Sequence, residues 1–267
     1  MIRHNKQYFY KYVTAKTLLL ILQNKKLKYS SPLTFNDPFD MQTKIDYDFE
    51  LSDLFSFLRA KFDHGVEALV NKFKDKHIEI NDWWRQEVND SRVFCVAEDN
   101  DNLLMWAHYA DDHQGAVIKF LCLPAIDNML CAAMKVNYVH KPPVIATLDE
   151  YIKSLIGKHE LDFDSLYYKL FTSKSDHWAY EKEWRVFIPS FGMSNPTLAK
   201  MASENDSLSI LMDVYPQEIH SVYLGCKMIE NVQKDIENSL SGDFSHVQIY
   251  KSIKDEREYK LNFEQIK

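Results

Sequence analysis

Segments typical of strands alternate with helical segments along the whole chain. The start shows a strand pattern, QYFYKYV, then a helical pattern, AKTLLLILQNK, that Thr14 can cap, and then a second strand pattern, KLKYS. Further strand patterns are RVFCVA, GAVIKFL, AAMKVNYVH, SLSILMDV, HSVYLG, HVQIYKS and EYKLNF. This order predicts an α+β fold with a mixed, largely antiparallel sheet. We expect one domain over residues 1–267, with helical insertions at about 51–90 and 146–173.

Composition argues against several classes of protein. The 267 residues are 46% hydrophobic, which is ample for a packed core. The net charge of −7 argues against a surface devoted wholly to nucleic acid, although a local basic groove would not appear in the total. The six glycines never come close enough together for a G-x-G-x-x-G turn or a P-loop. A Rossmann or P-loop nucleotide site is therefore not expected.

The cysteines and the apolar runs indicate a cytoplasmic protein without a metal centre. Cys95, Cys122, Cys131 and Cys226 are far apart and form no Cys-x-x-Cys pair, so we expect free thiols. The apolar run Leu18–Leu22 is too short for a signal peptide or for the roughly 20 residues that cross a bilayer. The sequence thus predicts neither a metal nor a membrane partner.

The stretch SDHWAYEKEWRVFIPS, residues 175–190, is the most informative one for function. Its period of two predicts a strand with Trp184 on an apolar face and with Glu181, Glu183 and Arg185 on the other. A surface ion pair would explain these charges and would contribute about 0 to 1 kcal/mol. Alternatively, two carboxylates on one face can divide labour, one binding a sugar hydroxyl and the other orienting or deprotonating a nucleophile. Nearby tryptophans would then raise the pKa of one carboxyl group.

The loop FNDPFD, residues 35–40, is a second candidate site. Asn36 and Asp37 satisfy backbone amides in a turn, or they form part of a binding site. Because the loop is flanked by two phenylalanines that can anchor it in the core, its polar groups would be held rigidly.

The stretch LLMWAHYADDHQGAVIKF, residues 103–120, predicts a helix followed by a strand. In one interpretation it is a packed amphipathic helix in which Asp112 holds His108 at the i+4 position. In the other, Trp106, His108 and Tyr109 form the wall of a pocket for a planar ring.

Several blocks of the chain resemble a bacterial family recorded as domain of unknown function 2971. They are YKYVTAKTLLLILQNKKLKYSSPLTFNDPFD, LLMWAHYADDHQGAVIKF and KSDHWAYEKEWRVF, with YLGCKM as a fainter fourth. Their order and rough spacing also agree, so the resemblance extends over nearly the whole domain. The family implies no cofactor and no reaction.

The order of segments is also similar to that of ADP-ribosyltransferase-like folds. Those folds open with a strand bearing a ligand-contacting residue, continue through a short helix into a strand with Ser or Tyr, and close the site with Glu-x-Glu on a late strand. The matching stretches are 10–12, 29–31 and 181–183. The usual His or Arg of the first strand is replaced here by Lys11 or Tyr12.

This second resemblance implies a site that cleaves NAD as a substrate. Glu183 would stabilise the oxocarbenium-like transition state, and Glu181 would orient an acceptor, either nucleic acid or protein. Arg185 or Lys11 would meet the pyrophosphate, and Trp106 or Tyr109 would stack on a base. The candidate residues for binding this nucleotide-type ligand are Lys11, Tyr12, Ser30, Asn36, Asp37, Trp106, His108, Tyr109 and Arg185.

Two other functions are compatible with the same residues. A metal-dependent nuclease would use Asp37, Asp40, Glu181 and Glu183 as magnesium ligands. A non-catalytic sensor would bind a nucleotide with its aromatic residues and contact the phosphate through Arg185. By analogy, the resemblance to ADP-ribosyltransferases implies a role in bacterial stress or phage defence.

Overall fold

The computed structural model describes residues 4–193, 200 and 208–267, in which helices pack against a ten-stranded sheet. The strands of this part of the chain are β1 (Tyr8–Val13), β2 (Lys26–Ser30), β3 (Asp46–Asp48), β4 (Arg92–Ala97), β5 (Ala116–Leu121), β6 (Met134–Lys135), β7 (Asn137–Val139), β8 (Val144–Thr147), β9 (Ser173–Ser175), β10 (Glu183–Ile188), β11 (Ser209–Asp213), β12 (Ile219–Leu224), β13 (Gln248–Lys254) and β14 (Leu261–Gln265). Its α-helices are α1 (Ala15–Asn24), α2 (Leu51–Lys61), α3 (Val66–Asp90), α4 (Leu103–Tyr109), α5 (Leu148–Leu155), α6 (Phe163–Thr172), α7 (Ser190–Met193) and α8 (Glu230–Ser239).

The main sheet is mixed and largely antiparallel. Its strand order is β11-β2-β4-β1-β5-β12-β13-β14, and β10 lies along β4 with β6 beside it. Only β12 and β13 pair in parallel within the described part of this sheet. Two small parallel pairs, β3 with β8 and β7 with β9, lie outside it. The predicted α+β class and the predicted kind of sheet are confirmed.

Strands β1 and β2 meet the same neighbour, β4, at opposite ends and then part. Ser30 of β2 is paired with Val93, whereas Tyr10 of β1 is paired with Ala97 at the other end of β4. Beyond these contacts β1 runs along β5 and β2 runs along β11. The divergence leaves an opening between β1 and β2 above the middle of β4.

Helices cover both faces of the sheet. Leu18 of α1 and Ile236 of α8 belong to the core on one face, together with Phe9 and Phe94 from the strands. A second core joins α2, α3, α5 and α6, and a third, smaller one lies under α4 around Trp106. The second and third cores share the face opposite α1, and the opening between β1 and β2 lies between them.

Most elements begin and end near their predicted positions. Thr14 caps α1, accepting a hydrogen bond from the Thr17 N–H at 3.1 Å, as predicted. Helices also occupy the ranges predicted as insertions, 51–90 and 146–173. That these ranges are insertions into one domain over residues 1–267 stays a prediction. In the described residues no helix is both long and apolar enough to cross a bilayer.

Three local predictions were wrong. The stretch AAMKVNYVH forms two short strands with different partners, β6 with β10 and β7 with β9, rather than one. Strand β10 starts only at Glu183, because residues 176–181 form a 3₁₀ helix and Lys182 has a φ of 45°. Helix α4 ends at Tyr109, and Asp112 follows in a left-handed turn, so His108 and Asp112 do not share a helical face.

Candidate functional site

The opening between β1 and β2 is a cavity of about 370 Å³, which we call the cleft. Its volume lies in the range of about 300–1,000 Å³ typical of small-molecule sites. The described residues that line it are Tyr10, Lys11, Tyr12, Lys28, Ser30, Thr34, Phe35, Asn36, Asp40, Val93, Cys95, Val96, Ala97, Met105, Tyr109, Lys174, Glu181 and Glu183. Aromatic rings, cations and carboxylates therefore meet in one hollow.

Strand register explains why these side chains meet. Tyr10 and Glu183 are both paired with Ala97, on opposite edges of β4, and Arg185 is paired with Cys95. Directly paired residues project to the same face of a sheet, so β1, β4 and β10 present these side chains on one side. The alternate residues, including Trp184, pack in the core behind, as the period of two predicted.

Lys174 lies among three buried carboxylates. Its Nζ is 2.5 Å from Oε2 of Glu181, 2.8 Å from Oε2 of Glu183 and 3.6 Å from Oδ2 of Asp40. All four side chains are less than 10% exposed. We call these residues, together with Arg185, the charged cluster.

Arg185 ties the charged cluster to the loop after β2. Its Nε donates to Oε1 of Glu183 at 2.8 Å, its Nη2 to Oδ2 of Asp40 at 2.6 Å, and its Nη1 to the Phe171 carbonyl at 3.1 Å. The side chain is completely buried and does not line the cleft. Glu183 and Arg185 are thus not a surface ion pair, and Arg185 positions the carboxylates from below.

The charged cluster drives the pKa values of its two glutamates apart. Burial by itself would raise the pKa of Glu183, but Arg185 and Lys174 outweigh it and hold that pKa well below its usual range. Burial raises the pKa of Glu181, and the charge of Glu183 adds to this, against the opposing effect of Lys174. Burial likewise raises the pKa of Asp40. Two cations face three carboxylates, so a proton is held most easily on Glu181 or Asp40.

Tyr109 and Asn36 form a hydrogen-bonded chain to Glu181. The Tyr109 hydroxyl donates to Oε1 of Glu181 at 2.6 Å and accepts from Nδ2 of Asn36 at 3.2 Å. Burial and the charge of Glu181 raise the pKa of Tyr109, which therefore stays a donor at neutral pH. The chain joins the loop after β2 to α4 across the cleft.

The cleft brings together most of the sequence-predicted site residues. Those that line it are Lys11, Tyr12, Ser30, Asn36, Tyr109, Glu181 and Glu183. Whether they bind a ligand or act in catalysis stays a prediction.

The other candidates lie elsewhere. Asp37 caps its own turn, because its Oδ1 accepts from the Phe39 N–H at 2.9 Å. Trp106 is fully buried, and its indole N–H donates to the Asn100 carbonyl at 2.7 Å. His108 lies beside the ring of Tyr180 at 6.4 Å. None of these three lines the cleft.

The carboxylates proposed as magnesium ligands do converge, but around an ammonium group. Asp40, Glu181 and Glu183 all lie within 3.6 Å of Lys174 Nζ, which occupies the point between them. Across the described ranges no group of three or more His, Cys, Asp or Glu side chains could hold a metal ion. The geometry gives the nuclease hypothesis no support.

Sequence reasoning missed Lys174 and Lys28. Lys174 lies in β9, seven residues before Glu181 and nine before Glu183 in the chain. A lysine shortly before two glutamates was the available signal, but only the fold brings its side chain between them. Lys28 lines the cleft from β2, two residues before Ser30 and on the same face.

The family comparison covers the part of the cleft that carries four of the five residues of the charged cluster. Residues 105–186 match the model of a family described as a protein of unknown function, DUF2971. Over this segment the chain is similar to that family. The matched segment contains Tyr109, Lys174, Glu181 and Glu183, whereas β1, β2 and the loop after β2 lie outside it. No curated protein and no solved structure was found to match the chain.

Proposed function

We propose that the cleft binds NAD and that the protein transfers ADP-ribose from it to an acceptor. The supporting observation is that residues of three distant stretches line one cavity: residues 10–12, Ser30, and Glu181 with Glu183. These are the stretches that correspond by order and type to the ligand-binding segments of ADP-ribosyltransferase-like folds.

The lining suits each part of a dinucleotide. Lys11 and Lys28 offer cations from β1 and β2 for the pyrophosphate. Tyr12 and Phe35 offer rings against which a base or the nicotinamide can pack. Arg185 cannot take the phosphate role first considered for it, because each of its three nitrogen atoms bonds within the protein.

The two glutamates differ as the reaction requires. Glu183 is held ionised by Arg185 and Lys174, so it supplies the fixed negative charge that stabilises an oxocarbenium-like ribose. Glu181 has a raised pKa and can take up a proton. In enzyme sites, two titratable groups whose pKa values are shifted in opposite directions commonly take different roles, here the fixed charge and the proton acceptor.

The bond between ribose C1′ and the nicotinamide nitrogen breaks, and neutral nicotinamide leaves with the bonding electron pair. A nucleophilic oxygen or nitrogen of the acceptor forms the new bond to C1′, and Glu181 accepts its proton. Water in place of the acceptor gives free ADP-ribose. The role in bacterial stress or phage defence stays a prediction.

The proposal is tested by incubating the protein with NAD, with and without cell lysate, and measuring released nicotinamide by chromatography. Wild type is expected to release nicotinamide, and Glu183→Gln to lose about 100-fold or more of the rate. Glu79→Gln removes the charge of an exposed carboxylate on α3 that pairs with Lys76; it is the matched control and keeps the wild-type rate. Binding of NAD without nicotinamide release would instead favour the non-catalytic sensor.

A further inference from the structure

A second groove lies on the other side of Lys174. Two neighbouring cavities of about 180 and 230 Å³ share Met41, Thr43 and Trp84, so they form one groove along residues 39–44. We call it the 39–44 groove. Lys174 lines both this groove and the cleft. Lys174 therefore forms part of the wall of both hollows.

The 39–44 groove is positively charged. Its lining includes the basic side chains Lys44, Arg85 and Lys141, and none of the described residues that line it is Asp or Glu. Lys174 and His140 also line it, but the charge of Lys174 is compensated by the carboxylates of the charged cluster. This contrasts with the net charge of −7 for the whole chain. The charge of the groove is thus complementary to an anionic ligand.

Two of these lysines are available to a ligand. Arg85 meets Asp82 at 2.9 Å, and His140 meets Asp176 at 3.5 Å. Lys44 and Lys141 are exposed, and neither has an ion-pair partner in the part of the chain that the structure describes. Lys44 lies after β2 and lines one of the two cavities, and Lys141 lies between β7 and β8 and lines the other.

Flat apolar groups line the groove together with the lysines. Phe39 is 69% exposed, and it lines the groove with Pro142, Pro143 and the buried Trp84. An exposed phenylalanine in a polar loop costs solubility and leaves a ring face free for stacking. Rings interleaved with lysines are the combination that binds single-stranded nucleic acid, since bases stack on the rings and phosphates meet the cations.

We infer that the 39–44 groove binds a single-stranded nucleic acid. Lys44 and Lys141 contact its phosphates, and Phe39 stacks on a base. An acidic peptide would match the charge but would leave the exposed ring without a flat partner. This inference does not depend on the ADP-ribosyltransferase proposal, because it concerns binding outside the cleft.

The test is fluorescence anisotropy with a labelled 12-nucleotide single strand of mixed sequence, as DNA and as RNA, over a range of salt concentrations. We expect wild type to bind at least one of the two at low salt. The double variant Lys44→Ala/Lys141→Ala is expected to bind about tenfold or more weakly, with the slope of log K against log salt reduced by about 1.4. Phe39→Ala is expected to lose about tenfold in affinity with an unchanged slope.

The matched control is Lys16→Ala/Lys254→Ala, which removes two exposed lysines from α1 and β13 that line neither hollow. It is expected to bind as wild type does, and circular dichroism checks that all variants fold. The inference would be overturned if wild type bound neither the DNA nor the RNA strand at low salt. It would also be overturned if Lys44→Ala/Lys141→Ala and the control variant lost affinity equally. Preferential binding of polyglutamate would also overturn it and would assign the groove to an acidic protein. Nicotinamide release is measured separately, so failure of one proposal is distinguishable from failure of the other.

Discussion

The ammonium nitrogen of Lys174 lies 2.5 Å from Oε2 of Glu181, and both side chains are buried at the edge of the cleft. These residues come from β9 and from the end of a 3₁₀ helix, seven positions apart. Because the same ammonium also meets Glu183, it holds two carboxylates close together in a region with little water. Stability and chemistry at this site therefore depend on one lysine.

Replacing Lys174 by Met is expected to lower the free energy of unfolding by about 3–5 kcal/mol, because it leaves buried carboxylates without their cation. Urea denaturation followed by circular dichroism measures this. Lys76→Met, which breaks a surface pair with Glu79 at 3.0 Å, is the control and should change stability little. Equal effects of the two substitutions would show that the buried arrangement is wrong.

The pH dependence of stability should differ in sign for the two glutamates. The folded-state pKa of Glu181 is raised above its ordinary value of 4.5, so its contribution to stability is present below pH 4.5 and is lost as the pH rises through the folded-state value. The folded-state pKa of Glu183 is lowered, so its contribution is present above pH 4.5 and is lost as the pH falls.

The measurement is the free energy of unfolding of wild type, Glu181→Gln and Glu183→Gln from pH 3 to 8. The free energy of unfolding of wild type minus that of Glu181→Gln should fall as the pH rises above about 4.5. The free energy of unfolding of wild type minus that of Glu183→Gln should rise with pH below about 4.5. If both differences changed with pH in the same direction, the opposite pKa shifts of the two glutamates would be contradicted.

Tyr109→Phe removes the hydroxyl that donates to Glu181 at 2.6 Å while keeping the ring. We expect nicotinamide release to fall about tenfold or more, because Glu181 loses the donor that orients it. The free energy of unfolding should change by only about 1 kcal/mol. Tyr168→Phe, at an exposed position of α6, serves as the control. An unchanged rate in Tyr109→Phe would remove this tyrosine from the site.

Gly225→Ala tests the packing that fixes the turn after α4. A Cβ at Gly225 would lie 2.1 Å from the His113 carbonyl oxygen, so backbone would have to move. We expect a loss of more than about 3 kcal/mol in stability, measured by urea denaturation. A Cβ at Gly157 would have no atom within 4 Å, so Gly157→Ala carries only the strain of a φ of +70°, which costs about 1 kcal/mol. Similar losses of stability in Gly225→Ala and Gly157→Ala would contradict the close approach of Gly225 to the His113 carbonyl.

Local patterns in the sequence predicted most strands and helices, because the alternation of apolar residues and the cap at Thr14 are properties of short segments. They failed at residues 176–182, where the left-handed Lys182 ends a 3₁₀ helix that an alternating pattern cannot distinguish from a strand. Tertiary packing decided that local conformation. Glu181 reaches the same cluster as Glu183 from the helix rather than from the strand.

The site was only partly predictable for a similar reason. Glu181, Glu183 and Tyr109 stood out because charged or aromatic residues of this kind are unusual within apolar segments. Lys174 did not stand out, since a lysine in a short polar stretch is ordinary until the fold buries it. The sequence suggested that Arg185 contacts a ligand phosphate. Such a contact depends on which face of β10 lies towards the cleft and on how deeply the Arg185 side chain is buried, and the period of two predicts neither.

The most direct test of ligand binding in the cleft is a crystal structure of Glu181→Gln, which should turn over slowly, soaked with NAD. We predict density for the dinucleotide between β1 and β2, with the nicotinamide ribose against Glu183 and the pyrophosphate near Lys11 and Lys28. Density elsewhere on the molecule, or an empty cleft at saturating NAD, would contradict the proposal that this cleft is an NAD site.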